Sequence, residues 1–316
     1  MVNLLYCLDE NYNYQALTSI ISILDKSSLK INLYVIHKNL HLFKNVPKII
    51  KKHKNLNKLE VFEFGKVSNY FPNISNSHIS EATYYRLFIE NILPKEVEEI
   101  IYIDCDIIAI NPIDNNVSDI FRELKISDNT IAVKTEFKRN MYKALFRDLN
   151  LKGEKYFNAG IMFIDLEKWR KIEINHKAER IIEDDNIEFK FWDQDILNIL
   201  FDGDYLELEK KFNYAVDVEN FSVNKNSIKD KAVLIHYSGS KKPWTVEGLL
   251  NNTSNFYQEN YRKLGFEKIH ITHKWKKYST LLFLKNILNL RLQKNYKTVE
   301  LLKSFYRSLN SKRIKK

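Results

Sequence analysis

Apolar runs alternate with stretches of helical spacing along the first hundred residues. Val2–Leu8 is a near-continuous apolar run ending at Asp9, the pattern of a strand buried on both faces. Tyr12–Asp25 then places Leu17, Ile20, Ile21 and Leu24 at helical spacing. Ile31–Ile36 and Leu59–Phe64 read as strands, with a helix-like His41–Lys54 between them. Ala82–Asn91 is predicted helical. Ile100–Ile110 is an apolar run interrupted only by Asp104 and Asp106. Asn115–Gly153 carries no strong pattern. Phe157–Leu166 is again apolar, Phe191–Leu200 reads as a short helix, and Ala232–Ile235 is a last strand ending at His236.

Strands alternating with helices predict an α/β fold built on a Rossmann-like, mostly parallel sheet flanked by helices. Ligands of such sheets bind at the carboxyl ends of strands. Asp9 and the Asp104/Asp106 pair both lie at such ends, which places them in one crevice. Charges are rarely buried without a partner, because desolvation costs too much. A divalent cation is the natural partner for two carboxylates one residue apart, often with a substrate phosphate. The bland reading is a solvated strand end or turn.

Composition narrows the classes. The chain has 316 residues, 44% of them hydrophobic and 28% charged, as in a water-exposed globular protein. Seven glycines form no phosphate-cradling Gly-rich loop. The two cysteines, Cys7 and Cys105, sit in apolar strand-like runs and suggest neither a disulfide framework nor a zinc site. Met1–Tyr6 lacks the basic start and apolar core of a signal peptide. No stretch reaches ~18 uninterrupted apolar residues. A reducing, cytoplasmic setting is expected.

The net charge of +10 is uneven. Residues 266–316 hold 14 Lys and Arg against two acids, and the remaining chain holds 36 against 38. The division is therefore a body, 1–265, and a basic amphipathic helical segment, 266–316. A near-neutral body argues against a nucleic-acid footprint. In the tail, cations interleave with Trp275, Tyr278, Phe283 and several Leu, which suits a helix lying in an anionic membrane interface. A helical hairpin packed on the body and a partner or dimer surface are the alternatives.

Six blocks in order carry a resemblance. They are Leu8-Asp9-Glu10-Asn11-Tyr12, Thr83-Tyr84-Tyr85-Arg86-Leu87, Tyr102-Ile103-Asp104-Cys105-Asp106, Tyr156-Phe157-Asn158-Ala159-Gly160, Asp193-Gln194-Asp195-Ile196-Leu197-Asn198, and His236-Tyr237-Ser238-Gly239 with Lys242-Pro243-Trp244. Together they resemble family 8 glycosyltransferases of GT-A fold, nearest the bacterial lipooligosaccharide α-galactosyltransferase and glucosyltransferase branch. The resemblance implies a retaining hexosyltransferase that moves galactose or glucose from a UDP-sugar to a saccharide or glycolipid acceptor. Lipopolysaccharide, lipooligosaccharide or surface glycan synthesis is the implied setting, at the inner face of the cell membrane. A protein or polysaccharide glucosyltransferase of the same fold, and a non-catalytic nucleotide-sugar-binding protein, are the alternatives.

Residue by residue, the resemblance implies that Asp104, Asp106 and His236 bind Mn²⁺, with Mg²⁺ as a substitute. Cys7, Asp9, Asn11 and Tyr12 would line the uridine pocket, Cys7 mainly through its backbone. Arg86 would sit over the diphosphate or sugar hydroxyls, and Gly239 and Lys242 would hold the β-phosphate. Asn158, Asp193 and Gln194 would grip the donor sugar, Gln194 and Asp193 being the catalytic candidates. Cys105 packs between the metal carboxylates. Asp9 and Asn11 read equally as helix N-caps, Arg86 as a surface helix residue, and Asp195 as a residue that orients its helix. Glu10, Ser240 and Lys241 depart from the galactosyltransferase pattern, which bears on sugar and acceptor choice.

Overall fold

The computed structural model describes residues 1–43, 45–65, 80–184, 186–216, 225–239, 241–249, 251, 253–266 and 269–272, with isolated positions between 281 and 306. Ten strands are present among them: β1 (Val2–Leu8), β2 (Ile31–His37), β3 (Leu56–Glu63), β4 (Glu99–Ile103), β5 (Ile107–Ala109), β6 (Ile131–Lys138), β7 (Lys155–Asp165), β8 (Leu206–Glu207), β9 (Tyr214–Ala215) and β10 (Leu234–His236). Seven form the main sheet in the order β3-β2-β1-β4-β7-β6-β8. β3, β2, β1 and β4 are mutually parallel, β7 is antiparallel to both its neighbours, and β8 is parallel to β6. A small second sheet has the order β5-β10-β9. The expected mostly parallel α/β architecture is what forms.

Alternate residues of β1 bury into two different layers. Leu4, Tyr6 and Leu8 pack with Ile20, Ile21 and Leu24 of the helix Asn13–Lys26. Leu5 and Cys7 pack with Tyr84, Tyr85, Phe157 and Trp169 on the other face. This two-sided burial explains the continuous apolar run. Cys105 belongs to the first layer and Cys7 to the second, and both are free thiols.

Several elements differ from the sequence pattern. The run Ile100–Ile110 is two strands rather than one. β4 ends at Ile103, the chain turns through Asp104–Asp106, and β5 joins the small sheet. The turn is closed by Ile107 N–H to Asp104 O and tied to β7 by Asp104 N–H to Gly160 O. Two carboxylates cannot continue into a doubly covered sheet, so the chain leaves it where they occur. The predicted helix His41–Lys54 reduces to a 3₁₀ turn, Leu40–Phe43, and one helical turn, Lys48–Lys51. Pro47 stands at the cap of the latter, where a missing N–H costs nothing; a helix interior would not accept it. Ala82–Asn91 is a 3₁₀ helix, Glu81–Phe88, followed by the helical turn Ile89–Ile92.

The unpatterned Asn115–Gly153 contains the helix Asp114–Ile126, β6 and the helix Lys143–Asp148. β6 is buried at its start and half-exposed afterwards, so no single periodicity runs through it. Helices Leu166–Lys171, Ile174–Ile182 and Ser254–Lys263 complete the layers. Most of the basic segment 266–316 lies outside the described residues. Its described positions 281, 284, 285, 299, 300, 302, 303 and 306 are helical, and Glu300 pairs with Arg262 at 2.8 Å. Among the described residues no helix is long and apolar enough to cross a membrane.

Candidate active site

β1 and β4 are adjacent and parallel, so their carboxyl ends open side by side. There a cavity of about 510 Å³ is lined by the ends of β1, β4 and β10, by Asn158–Gly160 within β7 and by the start of the helix Asp193–Phe201. Twelve of the fourteen sequence-derived site residues line it: Cys7, Tyr12, Arg86, Asp104, Cys105, Asp106, Asn158, Asp193, Gln194, His236, Gly239 and Lys242. Asp9 and Asn11 do not. Asp9 caps the 3₁₀ turn Glu10–Tyr12, accepting from Asn11 N–H at 2.9 Å, from Asn11 Nδ2 at 3.3 Å and from Ser80 Oγ at 2.5 Å. Ser80 itself lines the cavity, so Asp9 braces the wall from behind.

The turn after β4 delivers Asp104 and Asp106 to the cavity floor. β10 pairs antiparallel with β5, His236 facing Ile107, which brings the imidazole to the same place. One ligand atom from each of Asp104, Asp106 and His236 lies within 4.8 Å of the other two. His236 Nε2 stands 3.3 Å from Asp106 Oδ1, and that buried oxygen has no hydrogen-bond donor. Two carboxylate oxygens and an imidazole nitrogen converging on an orphaned buried acceptor suit a divalent cation. Gly160 makes room for the ring. A Cβ there would stand 2.5 Å from His236 Cε1 and 3.0 Å from Nδ1.

Lys242 reaches Asp106 Oδ2 at 2.5 Å and also donates to Tyr237 O at 2.7 Å. Burial raises the Asp106 pKa, but Lys242 and His236 outweigh it and hold the carboxyl well below the usual range. Gly239, at φ +83°, supplies the left-handed turn between His236 and Lys242 and has open space around it.

Arg86, 4% exposed, is a buried hub and not a surface helix residue. Its guanidinium pairs with Asp104 Oδ1 at 3.1 Å and Asp193 Oδ2 at 2.8 Å, and donates to Thr83 O and Ala159 O. It lies 4.2 Å from the Tyr102 ring centroid, and Tyr102 donates its hydroxyl to Asp104 at 2.6 Å. Burial lifts Asp193 to about 6; Arg86 pulls in the opposite direction and Asp104 adds to the rise. Burial also pushes the Cys7, Cys105 and Tyr12 groups up, so neither thiol is a ready nucleophile.

Trp192, at φ +50°, turns the chain sharply into the helix that starts at Asp193. Asp195 holds that turn by accepting from Lys190 N–H, Phe191 N–H and the Tyr156 hydroxyl. Gln194 is fully engaged: Oε1 accepts from Ala159 N–H at 3.0 Å, and Nε2 faces Tyr156 Oη at 3.2 Å and Glu136 Oε2 at 3.4 Å.

Glu136 and Asn213 belong to the site without a sequence motif to mark them. Glu136 is the extra residue of a bulge in β6, where Thr135 faces Phe157 and Phe137 faces Tyr156. The bulge turns its carboxylate into the cavity. Asn213, 1% exposed, precedes β9, and β9 pairs with β10 beside His236. The signal in both cases is strand register, which a single sequence does not display.

The sequence profile of Glycosyl transferase family 8 matches residues 3–248. A Lipopolysaccharide 1,2-glucosyltransferase of Escherichia coli is 28% identical over 91% of this chain and 87% of its own length. A Lipopolysaccharide 1,3-galactosyltransferase of Salmonella typhimurium is 27% identical over 58% of this chain and 55% of its own. The crystal structure of the galactosyltransferase LgtC with donor and acceptor sugar analogs superposes with a TM-score of 0.68. It is 21% identical and is covered to 97%, against 84% of this chain, which identifies the fold as GT-A. With the match spanning every strand of the central sheet and the whole cavity, this chain belongs to glycosyl transferase family 8.

Proposed function

We propose that this chain is a retaining hexosyltransferase that uses a UDP-sugar and a divalent cation to extend a bacterial surface glycan. The observation that carries the reading is the convergence of Asp104, Asp106, His236 and Lys242 at the floor of one cavity. Asp104, Asp106 and His236 would hold Mn²⁺ or Mg²⁺. When bound, the cation supplies Lewis-acid neutralisation of the donor diphosphate. Lys242, paired with Asp106, would help by neutralising the β-phosphate.

The bond that breaks joins the anomeric carbon to the diphosphate, and its electron pair leaves with UDP. Retention through a covalent intermediate needs a free carboxylate nucleophile. Asp193 is tied to Arg86, and Gln194 has both ends of its amide occupied. The reading is therefore front-face attack: the acceptor oxygen bonds to the anomeric carbon on the side UDP leaves, and its proton passes to the leaving phosphate. Arg86 holds Asp104 and Asp193 in place while charge develops.

The names of the Escherichia coli and Salmonella relatives support a lipopolysaccharide-type saccharide acceptor, with glucose or galactose as the transferred sugar. Exposed Leu281, Leu284, Val299, Leu302 and Tyr306 on helical positions of the basic segment support docking on an anionic membrane surface. Titration calorimetry with UDP tests the donor assignment. UDP binding that strengthens at least tenfold with Mn²⁺ is expected; binding that ignores the metal contradicts it.

A further inference from the structure

A histidine serves as a metal ligand through whichever ring nitrogen lacks a proton, and the partner of its other nitrogen decides which one that is. We infer that Asn213, oriented by Asn158 and Glu136, is the positioning residue that fixes the His236 tautomer and leaves Nε2 bare toward Asp104 and Asp106. The inference rests on the metal reading of these three residues.

The relay starts at Glu136, whose Oε2 is the acceptor that faces Asn158. Asn158 must therefore turn its NH₂ toward it, and Nδ2 lies 3.0 Å from Glu136 Oε2. That sets Asn158 Oδ1 on the other side, where it accepts from Gly160 N–H at 3.0 Å. The same oxygen lies 2.9 Å from Asn213 Nδ2, so Asn213 must also present its NH₂ there. Asn213 Oδ1 then faces His236 Nδ1 at 2.9 Å. A carbonyl oxygen only accepts, so Nδ1 carries the proton. With Nδ1 the donor to Asn213, Nε2 is the nitrogen left to act as a ligand, beside the orphaned Oδ1 of Asp106. Three amide and carboxylate groups in series thus translate the position of a β6 bulge into the ligand state of an imidazole on β10. Asn158 uses both lone pairs of Oδ1 and one N–H in this relay, which adds a positioning role to its expected contact with the donor sugar.

The test is a Mn²⁺ titration by calorimetry, alone and with UDP, on the full chain and two variants. Asn213→Leu removes the acceptor and should weaken Mn²⁺ binding by about 10- to 100-fold. Asn213→Asp keeps an acceptor at the same place and should stay within about threefold of wild type, as carboxylate–histidine–metal arrangements do. Thermal midpoints should run the other way, because a buried aspartate costs the fold more than a leucine. Wild-type affinity in Asn213→Leu, or equal losses in both variants, overturns the inference. Long-range ¹H–¹⁵N spectra of the wild-type chain give a second reading that needs no variant. A protonated His236 Nδ1 is expected, and an Nε2–H tautomer with bare Nδ1 overturns the relay. Mn²⁺ binding without UDP binding would sink the transferase reading alone, leaving the relay intact.

Discussion

Arg86 Nε and Asp193 Oδ2 stand 2.8 Å apart, with side chains 4% and 5% exposed. This pair joins the 3₁₀ helix Glu81–Phe88 to the helix Asp193–Phe201, and through Asp104 it reaches the Asp104–Asp106 turn. A buried pair of this kind is not a source of stability relative to apolar packing, but breaking it strands a charge. Arg86→Met should therefore destabilise the fold by about 3–5 kcal/mol. Chemical denaturation of wild type and variant measures this; a loss under about 1 kcal/mol would mean that water reaches the site and screens it.

The raised pKa of Asp193 has a definite sign. A carboxyl at about 6 in the fold and near its ordinary value when unfolded holds its proton more tightly in the native state. Its contribution to stability is full below the unfolded pKa and is lost as pH rises through 6. Wild type should thus lose roughly 3 kcal/mol relative to Asp193→Asn between about pH 4 and pH 7. Unfolding free energies of both proteins across that window check it. A pH-independent difference would show that Arg86 keeps Asp193 ionised throughout.

Gly160→Ala should damage the candidate metal site without replacing a ligand. The new Cβ would meet the His236 ring at 2.5 Å, and a central strand cannot shift to relieve it. We expect Mn²⁺ affinity to fall by about tenfold or more with the circular dichroism spectrum unchanged. Unaltered affinity would place His236 outside the ligand set.

The blocks that pointed to the site were short and local: a carboxylate pair after an apolar strand, and His236 and Lys242 flanking a glycine. Each sits at the carboxyl end of a strand or the start of a helix, where chain order and spatial order agree. Local pattern failed where geometry was non-local. It gave one strand for Ile100–Ile110 because apolarity does not say which sheet a segment joins. It left β6 unread because β6 passes from a covered to an open face. Glu136 and Asn213 were invisible for the same reason: a bulge brings Glu136 to the cavity, and the β9–β10 pairing brings Asn213 to His236 behind it. Arg86 was visible as a motif residue, but its burial follows from the packing of β4, β7 and two helices around it.

The basic segment should act through charge. Full-length protein should sediment with anionic vesicles at low ionic strength, bind neutral vesicles weakly, and be released as salt shortens the screening length below about 10 Å. Equal binding to neutral and anionic vesicles would remove the electrostatic part of this account.

Release of UDP from UDP-galactose and UDP-glucose, without acceptor, tests the central claim most directly when wild type and Asp106→Ala are compared with and without Mn²⁺. The account predicts turnover of at least one donor that requires the metal, falls by about 100-fold or more in Asp106→Ala, and releases the sugar with its anomeric configuration retained. Turnover that survives metal removal or the Asp106→Ala change, or no turnover of either donor, would contradict it.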